Sequence, residues 1–500
     1  MTSAPEADRA AAGERTDGVK GPYGVQGTDG VDRFDGVDGS DGSDGTDGVE
    51  GVDEAEGIDG AVGVEGIDGA DVLARTVNED DKRLRGPFWK LWTATFVASW
   101  GDGLRLAALP LTAALFTRDP MLLSLVTFAG QLPWVIAGTF AGAFVDRHDQ
   151  QRVMFWSDAS RASIAGLFTL ALATGHGHIA LLLVFALVMG VVETLRDSAA
   201  LAVLPRLVAA PALDKANSLL QGGAMLCVEL AGPPLAALLL VSGTSLPYAL
   251  DALTFVLSAL LLARLAGAVP RPAARAAATS LLADAGEGIR WLWRHRLLRA
   301  VCALVGAFNF ALSAVVSVAV LYAYEVLGVD SVGYGLLMSV IAVGGVFGVL
   351  VTPVLTRSLG RTRALLLCCG LAPVAFAVAG STSQPLPAAA VLSVVGMALA
   401  VITVVTTSLR QVLVPGELLG RVGSSYRLVA VGMSPLGALA GGATASLAGL
   451  RAPFYLAAAV LGAAWALSLP ALSSSESSDR NSPADGMPRR PNSPTTEGTS

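Results

Sequence analysis

From Trp89 onward the chain runs through long apolar stretches broken by short polar ones. A helix needs about 20 mostly apolar residues to cross a bilayer. Runs of that kind predict spans at 88–116, 121–145, 153–174, 179–204, 216–241, 246–266, 297–325, 331–356, 364–380, 386–413, 425–448 and 451–472. The longest connection, 267–296, has six spans on either side. The pattern therefore predicts an all-α membrane protein of twelve transmembrane helices in two six-helix bundles, 86–266 and 297–472. Residues 267–296 form a cytoplasmic linker. Its stretch Glu287 to Arg299 is basic and amphipathic, which suits a helix lying on an anionic membrane surface.

Polar positions between the spans set the orientation. Connections that follow even-numbered spans carry Arg147 and Arg152, Arg206 and Lys215, Arg271 to Arg296, Arg357 to Arg363, and Arg421. Those that follow odd-numbered spans carry only Arg118 and Arg451. Basic loops stay on the cytoplasmic side, so both termini are expected there, in the cell membrane. Features also recur between the halves. Charged loops follow spans 2 and 8, Pro205 and Pro415 close spans 4 and 10, and Pro233 and Pro435 lie within spans 5 and 11. Such spacing suggests a parallel duplication, with substrate held between the halves near mid-bilayer.

Composition agrees, with 53% hydrophobic and 15% charged residues in 500. The net charge of −7 hides two opposed regions. Residues 1–85 hold 22 acids against 8 bases, which leaves 19 acids against 26 bases in the rest. From Gly18 to Gly69 glycine fills every third position except Arg33 and Glu54, a collagen-like register. It contains one proline, Pro22, and many Asp residues that would repel one another across three chains. The reading is a disordered, acidic Gly/Asp-rich cytoplasmic tail over 1–85, with a second disordered tail over 473–500. The start is polar, acidic and long, unlike a secretory signal. Cys227, Cys302, Cys368 and Cys369 all lie in apolar runs and read as small hydrophobes.

The loop after span 2, AGAFVDRHDQQRVM, holds Gly142, Asp146, Arg147 and Arg152 in the order G-x-x-x-D-R-x-x-x-x-R. This resembles the signature loop of the major facilitator superfamily. Its form is most similar to the branch of the enterobactin exporter and macrolide efflux proteins, as are LPRLV and KANSLLQ at 204–221, EGIRWLWRHRLLRA at 287–300, and GRVGSSYRL with SPLGALAGG at 420–442. The resemblance covers about 88–472. It implies the major facilitator fold and a cytoplasmic gate in which Asp146 meets the start of span 11 near Arg421, where a helix dipole and arginine favour a carboxylate. The chain departs from the pattern in places. Gln150 and Gln151 stand where arginine is frequent, the second loop lacks an acid matching Asp146, and Val228 replaces a glycine of the span 5 export motif.

Charges within spans carry the chemistry. An Asp or Arg at a helix centre costs about 2.5–3.5 kcal/mol to insert, so it should face a partner or a wet cavity. Asp102 and Arg105 lie three residues apart in span 1 and share a face. Glu193, Arg196 and Asp197 in span 4 and Glu229 in span 5 lie at comparable depth. An intramembrane acid marks a proton or ion path, with Asp102 as first candidate and Glu193 or Glu229 next. A static ion-pair network is the alternative. Gln131, Gln221, Asn309, Arg410 and Gln411 are polar cavity candidates. Asp251 is placed near the outer end of span 6, within reach of water.

No G-x-x-x-x-G-K-[ST] phosphate loop, nucleophile–base pair or cofactor motif is found, and the His176–His178 turn lacks further metal ligands. The acidic tail argues against nucleic acid. The expected partners are a small-molecule substrate, protons and membrane lipid, with one chain as the functional unit. The reading is a secondary transporter, not an enzyme, that exchanges protons for a hydrophobic or amphipathic antibiotic, siderophore or secondary metabolite. Two alternatives stand beside it: movement of a lysophospholipid or other lipid, and a non-transporting membrane sensor or scaffold.

Overall fold

A computed structural model describes residues 84, 86–265, 281–415 and 418–480. The acidic repeat of the first tail, the stretch 266–280 of the linker and residues 481–500 lie outside the described residues.

The apolar runs fold as helices in the order predicted. They are α1 (Gly86–Phe116), α2 (Pro120–Arg147), α3 (Gln150–Ala173), α4 (Ile179–Leu207) and α5 (Leu213–Met225), which passes through a wider π turn (Leu226–Ala231) into α6 (Gly232–Ser242). Next come α7 (Leu246–Ala263), α8 (Leu281–Arg294), α9 (Arg296–Val316), α10 (Ser331–Leu359), α11 (Arg361–Ser381), α12 (Pro385–Leu413), α13 (Leu419–Ala448) and α14 (Ala452–Arg480). The last helix continues to Arg480, past the expected end at 472.

Local sequence explains the breaks. Asp119 caps α2, accepting from the Met121 amide at 2.8 Å, and Pro120 occupies the first helical position. Asp149 caps α3 through the amides of Gln151 and Arg152, at 3.1 and 3.2 Å. Gly360 has φ +85°, a left-handed conformation that glycine adopts without strain, and it separates α10 from α11.

Among the described residues nine helices are long and apolar enough to cross a membrane, the first beginning at Ile179. Of the three earlier ones, α2 qualifies only as a shorter apolar stretch, Pro120–Ile136. The other two carry charge in their interiors, Asp102 and Arg105 in α1, and Arg152, Asp158 and Arg161 in α3. The charges that break the apolar pattern are those that build the site below.

Neighbours in space follow a consistent scheme. In the first half α1 and α3 pack on α7, α2 and α3 pack on α4, and α1 packs on α6. In the second, α9 packs on α13 and α14, and α11 and α12 pack on each other, α11 also on α14 and α12 on α10. Two seams join the halves, α2 against α13 and α6 against α10. Gly442 lies against Ser124 and the Pro120 carbonyl, and Gly335 against the Pro233 carbonyl. The Ser339 hydroxyl donates to the Leu230 carbonyl at 2.7 Å, and Ser313 donates to Gln131 Oε1 at 3.0 Å.

Candidate functional site

Helices α1, α3, α4 and α7 converge on a cluster of eight charged side chains. The Arg105 guanidinium donates from Nη2 to Asp102 Oδ1 at 3.1 Å and to Glu193 Oε2 at 2.6 Å, which ties α1 to α4. Arg161 of α3 reaches the same Asp102 oxygen. Its Nη1 lies 3.8 Å from Asp158 Oδ1, and Arg196 Nε of α4 approaches that oxygen to 3.4 Å. Arg196 Nη1 also meets Asp197 Oδ1 at 3.4 Å. Ser258 of α7 donates to Asp158 Oδ2 at 2.6 Å. Arg161 stands over the Phe255 ring, 3.8 Å from its centroid, so one guanidinium serves both a carboxylate and an aromatic face.

Access differs across the cluster. The side chains of Asp102, Glu193 and Asp197 are 16%, 21% and 38% exposed, whereas Asp158 and Arg161 are fully buried. Asp251 is also fully buried, and neither carboxyl oxygen has a hydrogen-bond partner among the described residues. Its Oδ1 packs against Gly101, where an added methyl group would collide with it. The close approach of α7 to α1 needs a glycine at that point.

Five of the expected acid and arginine positions are thus brought together: Asp102, Arg105, Glu193, Arg196 and Asp197. Glu229 is not among them. It lies in the π turn and is exposed, with no hydrogen bond or ion pair among the described residues. Asp251 departs from the expected access to water. It sits one turn into α7, but α1 and α3 cover that turn and exclude water from it.

Asp158 and Arg161 are functional candidates that the sequence reading passed over. Their signal was present: acid and arginine three apart in an apolar run, the spacing of Asp102 and Arg105. Because α3 begins at Gln150, Asp158 lies two turns into the helix.

The loop motif is described in part. Gly142 and Arg147 lie in the last turns of α2, Arg147 exposed. The exposed Arg152 stands 3.9 Å from Asp149. The side chains of Asp146 and Arg421, the expected gate pair, lie outside the described residues. Gln150 and Gln151 knit the loop to the helices. Gln150 is buried and accepts from Arg206, while Gln151 donates to the Leu262 carbonyl at 3.0 Å.

The polar candidates separate in the same way. Gln131 bridges the halves through Ser313, and Gln221 and Gln411 are exposed. Asn309, Arg410 and Tyr426 line one pocket in the second half, with Arg410 stacked 4.1 Å from the Tyr426 ring centroid.

Comparison with known proteins places these features in a family. The chain is 29% identical over 397 residues to the multidrug efflux pump Tap of Mycolicibacterium fortuitum, covering 78% of this chain and 94% of that protein. It is 29% identical over 388 residues to the Tap pump of Mycobacterium tuberculosis, covering 74% and 90%. Its fold matches the crystal structure of a bacterial homologue of the iron transporter ferroportin in an inward-facing state. The TM-score there is 0.63 at 17% identity, over 77% of this chain and 98% of that one. The relatives point to Tap pumps, and the narrower likeness to enterobactin and macrolide exporters is not what they support. Residues 91–435 match the Major Facilitator Superfamily, and with the charged loop and multi-pass helical fold this establishes that the chain belongs to that superfamily of membrane transporters.

Proposed function

We propose that the chain is a proton-coupled exporter of hydrophobic or amphipathic small molecules. It works in the plasma membrane through twelve spans with cytoplasmic termini, by alternating access between two six-helix bundles. The similarity to multidrug efflux pumps supports export. One observation carries the coupling: Asp102, partly accessible, is shared by arginines of its own helix and of α3.

Charge counting supports a proton path through this cluster. Among the described residues, Asp102, Asp158, Glu193, Asp197 and Asp251 face only Arg105, Arg161 and Arg196. In a low-dielectric interior, uncompensated charge is expensive. The cluster is therefore balanced only when it holds two protons or an equivalent cation. A proton arriving at Asp102 cancels the charge that binds Arg161, and Arg105 is left to Glu193. The tie between α1 and α3 then weakens while that between α1 and α4 persists. Such a shift in partners is a two-state element that a proton can bias. Asp146 and Arg421 close the cytoplasmic side in this scheme.

The test is dye accumulation in cells that lack their main efflux pumps. Wild-type protein should lower accumulation of amphipathic dyes several-fold, and a proton uncoupler should abolish the difference. Asp102→Asn should accumulate dye as cells without the transporter do. Export by Asp102→Asn that remains sensitive to the uncoupler would remove Asp102 from the proton path.

A further inference from the structure

The second half contains a pocket of about 450 Å³ between α9, α12 and α13, lined by Val305, Asn309, Arg410, Ser424, Tyr426 and Arg427. That volume lies within the range of small-molecule sites, about 300–1,000 Å³. Its charge is one-sided. Two guanidinium groups line it, and among the described residues no carboxylate does. Each buried arginine of the first half meets an acid, but Arg410 meets none among the described residues. It is held from behind instead. Its Nε donates to the Thr406 carbonyl at 3.4 Å and its Nη2 to Thr407 Oγ1 at 3.2 Å, with the Tyr426 ring beneath it. This leaves Nη1 unpartnered among the described residues. The Tyr426 hydroxyl, in a residue only 4% exposed, lies near Thr406 but meets no partner at hydrogen-bonding geometry among the described residues.

A preoriented guanidinium with a free edge, a buried hydroxyl donor and a second arginine at the mouth make a set of donors aimed at an oxyanion. We propose that this pocket binds the carboxylate or phosphate group of an organic molecule, with Arg410 as the anchor and Arg427 and Tyr426 as supporting donors. The ligand is a soluble anion or the phosphate of a lipid headgroup, since both present the same oxygens. The site goes beyond proton coupling, because equilibrium binding requires no gradient.

The experiment is calorimetric titration of the purified full-length protein, in neutral detergent, with 1-naphthyl phosphate. 1-Naphthylmethylamine, of similar size and opposite charge, is the control. The phosphate should bind and the amine should not, and affinity should fall as salt is raised. Arg410→Gln should weaken binding at least ten-fold, and Arg427→Gln and Tyr426→Phe about three- to ten-fold. If Arg410→Gln does not fold, the other two variants decide. Equal binding of phosphate and amine, or wild-type affinity in both Arg427→Gln and Tyr426→Phe, would overturn the site. Repeating the titration in phosphatidylcholine nanodiscs with and without phosphatidylglycerol separates the sources. Loss of binding with phosphatidylglycerol assigns the pocket to a lipid phosphate, and unchanged binding assigns it to a soluble anion.

Discussion

Both halves of the helical bundle bring helices together at glycines, as where Gly103 meets the Cys227 carbonyl and Gly190 the Gly130 carbonyl in the first, but among the described residues only the first half adds a buried charged cluster. In the first, α1, α3, α4 and α7 meet around eight charged side chains, with Arg161 and Asp158 fully buried at their centre. In the second, helices meet at glycines. Gly344 and Gly348 of α10 lie against the Ser393 and Met397 carbonyls of α12, and Gly396 lies against the Ile341 carbonyl. Gly437 and Gly441 of α13 touch the Phe310 and Ala314 carbonyls of α9 in the same way. Small residues four apart let backbones approach to van der Waals contact, which drives helix association where lipid removes the hydrophobic incentive. Contacts of that kind have one geometry. Under the proton coupling proposed above, the ion pairs of the first half can exchange partners when a proton arrives, which these glycine contacts cannot do.

Removing the central arginine should have the largest effect. Arg161→Met leaves Asp102 and Asp158 with one guanidinium fewer in a buried site, and breaking a buried pair on one side costs about 3–5 kcal/mol. The expected outcome is a large fall in melting temperature and in folded yield after detergent extraction. Near-wild-type stability would mean that the cluster contributes little to packing, and the contrast between the halves would fail.

The corresponding test in the second half is Gly344→Ala. The added methyl group would fall on the Ser393 carbonyl, which is backbone and cannot swing away. Overpacking of this kind costs about 1–3 kcal/mol. The melting temperature should drop, while any export that survives should keep its dependence on the proton gradient. If the variant instead uncouples dye export from the gradient, the second half takes part in coupling.

How much of this was legible in the sequence depends on which property carried it. Helix positions were, because apolar run length and residues such as Asp119, Pro120 and Gly360 act locally, and most ends agree within a few residues. Residue pairs on one helix were also legible, as with Asp102 and Arg105, since helical periodicity alone sets them on one face. Partnerships between helices were not. Asp158 and Arg161 carried the same spacing, but only the packing of α3 on α4 and α7 reveals that they complete the cluster. Depth counted along a span also misled for Asp251, because burial there is set by α1 and α3 and not by distance from the helix end. The count of spans is subject to the same limit, since α1 and α3 look less apolar for the charges they carry to the site.

Two acids that resemble each other in sequence sharpen the contrast further. Asp251 is the one acid of the cluster that forms no ion pair among the described residues, so Asp251→Asn removes no guanidinium contact and keeps the shape that fits Gly101. Its stability should stay within about 1 kcal/mol of wild type, less than the loss expected for Arg161→Met. Greater destabilisation would place Asp251 among the groups whose charge holds α7 to α1.

Glu229 should matter least of all. Its depth in span 5 sets it beside Asp102 in the sequence pattern, yet it is exposed in the π turn and pairs with none of the eight charged groups among the described residues. Substitutions away from packed or paired positions usually change stability by no more than about 0.5 kcal/mol. Glu229→Gln should therefore match wild type in melting temperature and should export dye at a rate within about two-fold, with the same response to an uncoupler. The assay is the one used for Asp102→Asn, so the two variants compare directly an acid inside the cluster with an acid outside it. A loss of export in Glu229→Gln equal to that in Asp102→Asn would show that the proton path extends to the seam between α6 and α10. The boundary drawn around the first-half cluster would then be too narrow.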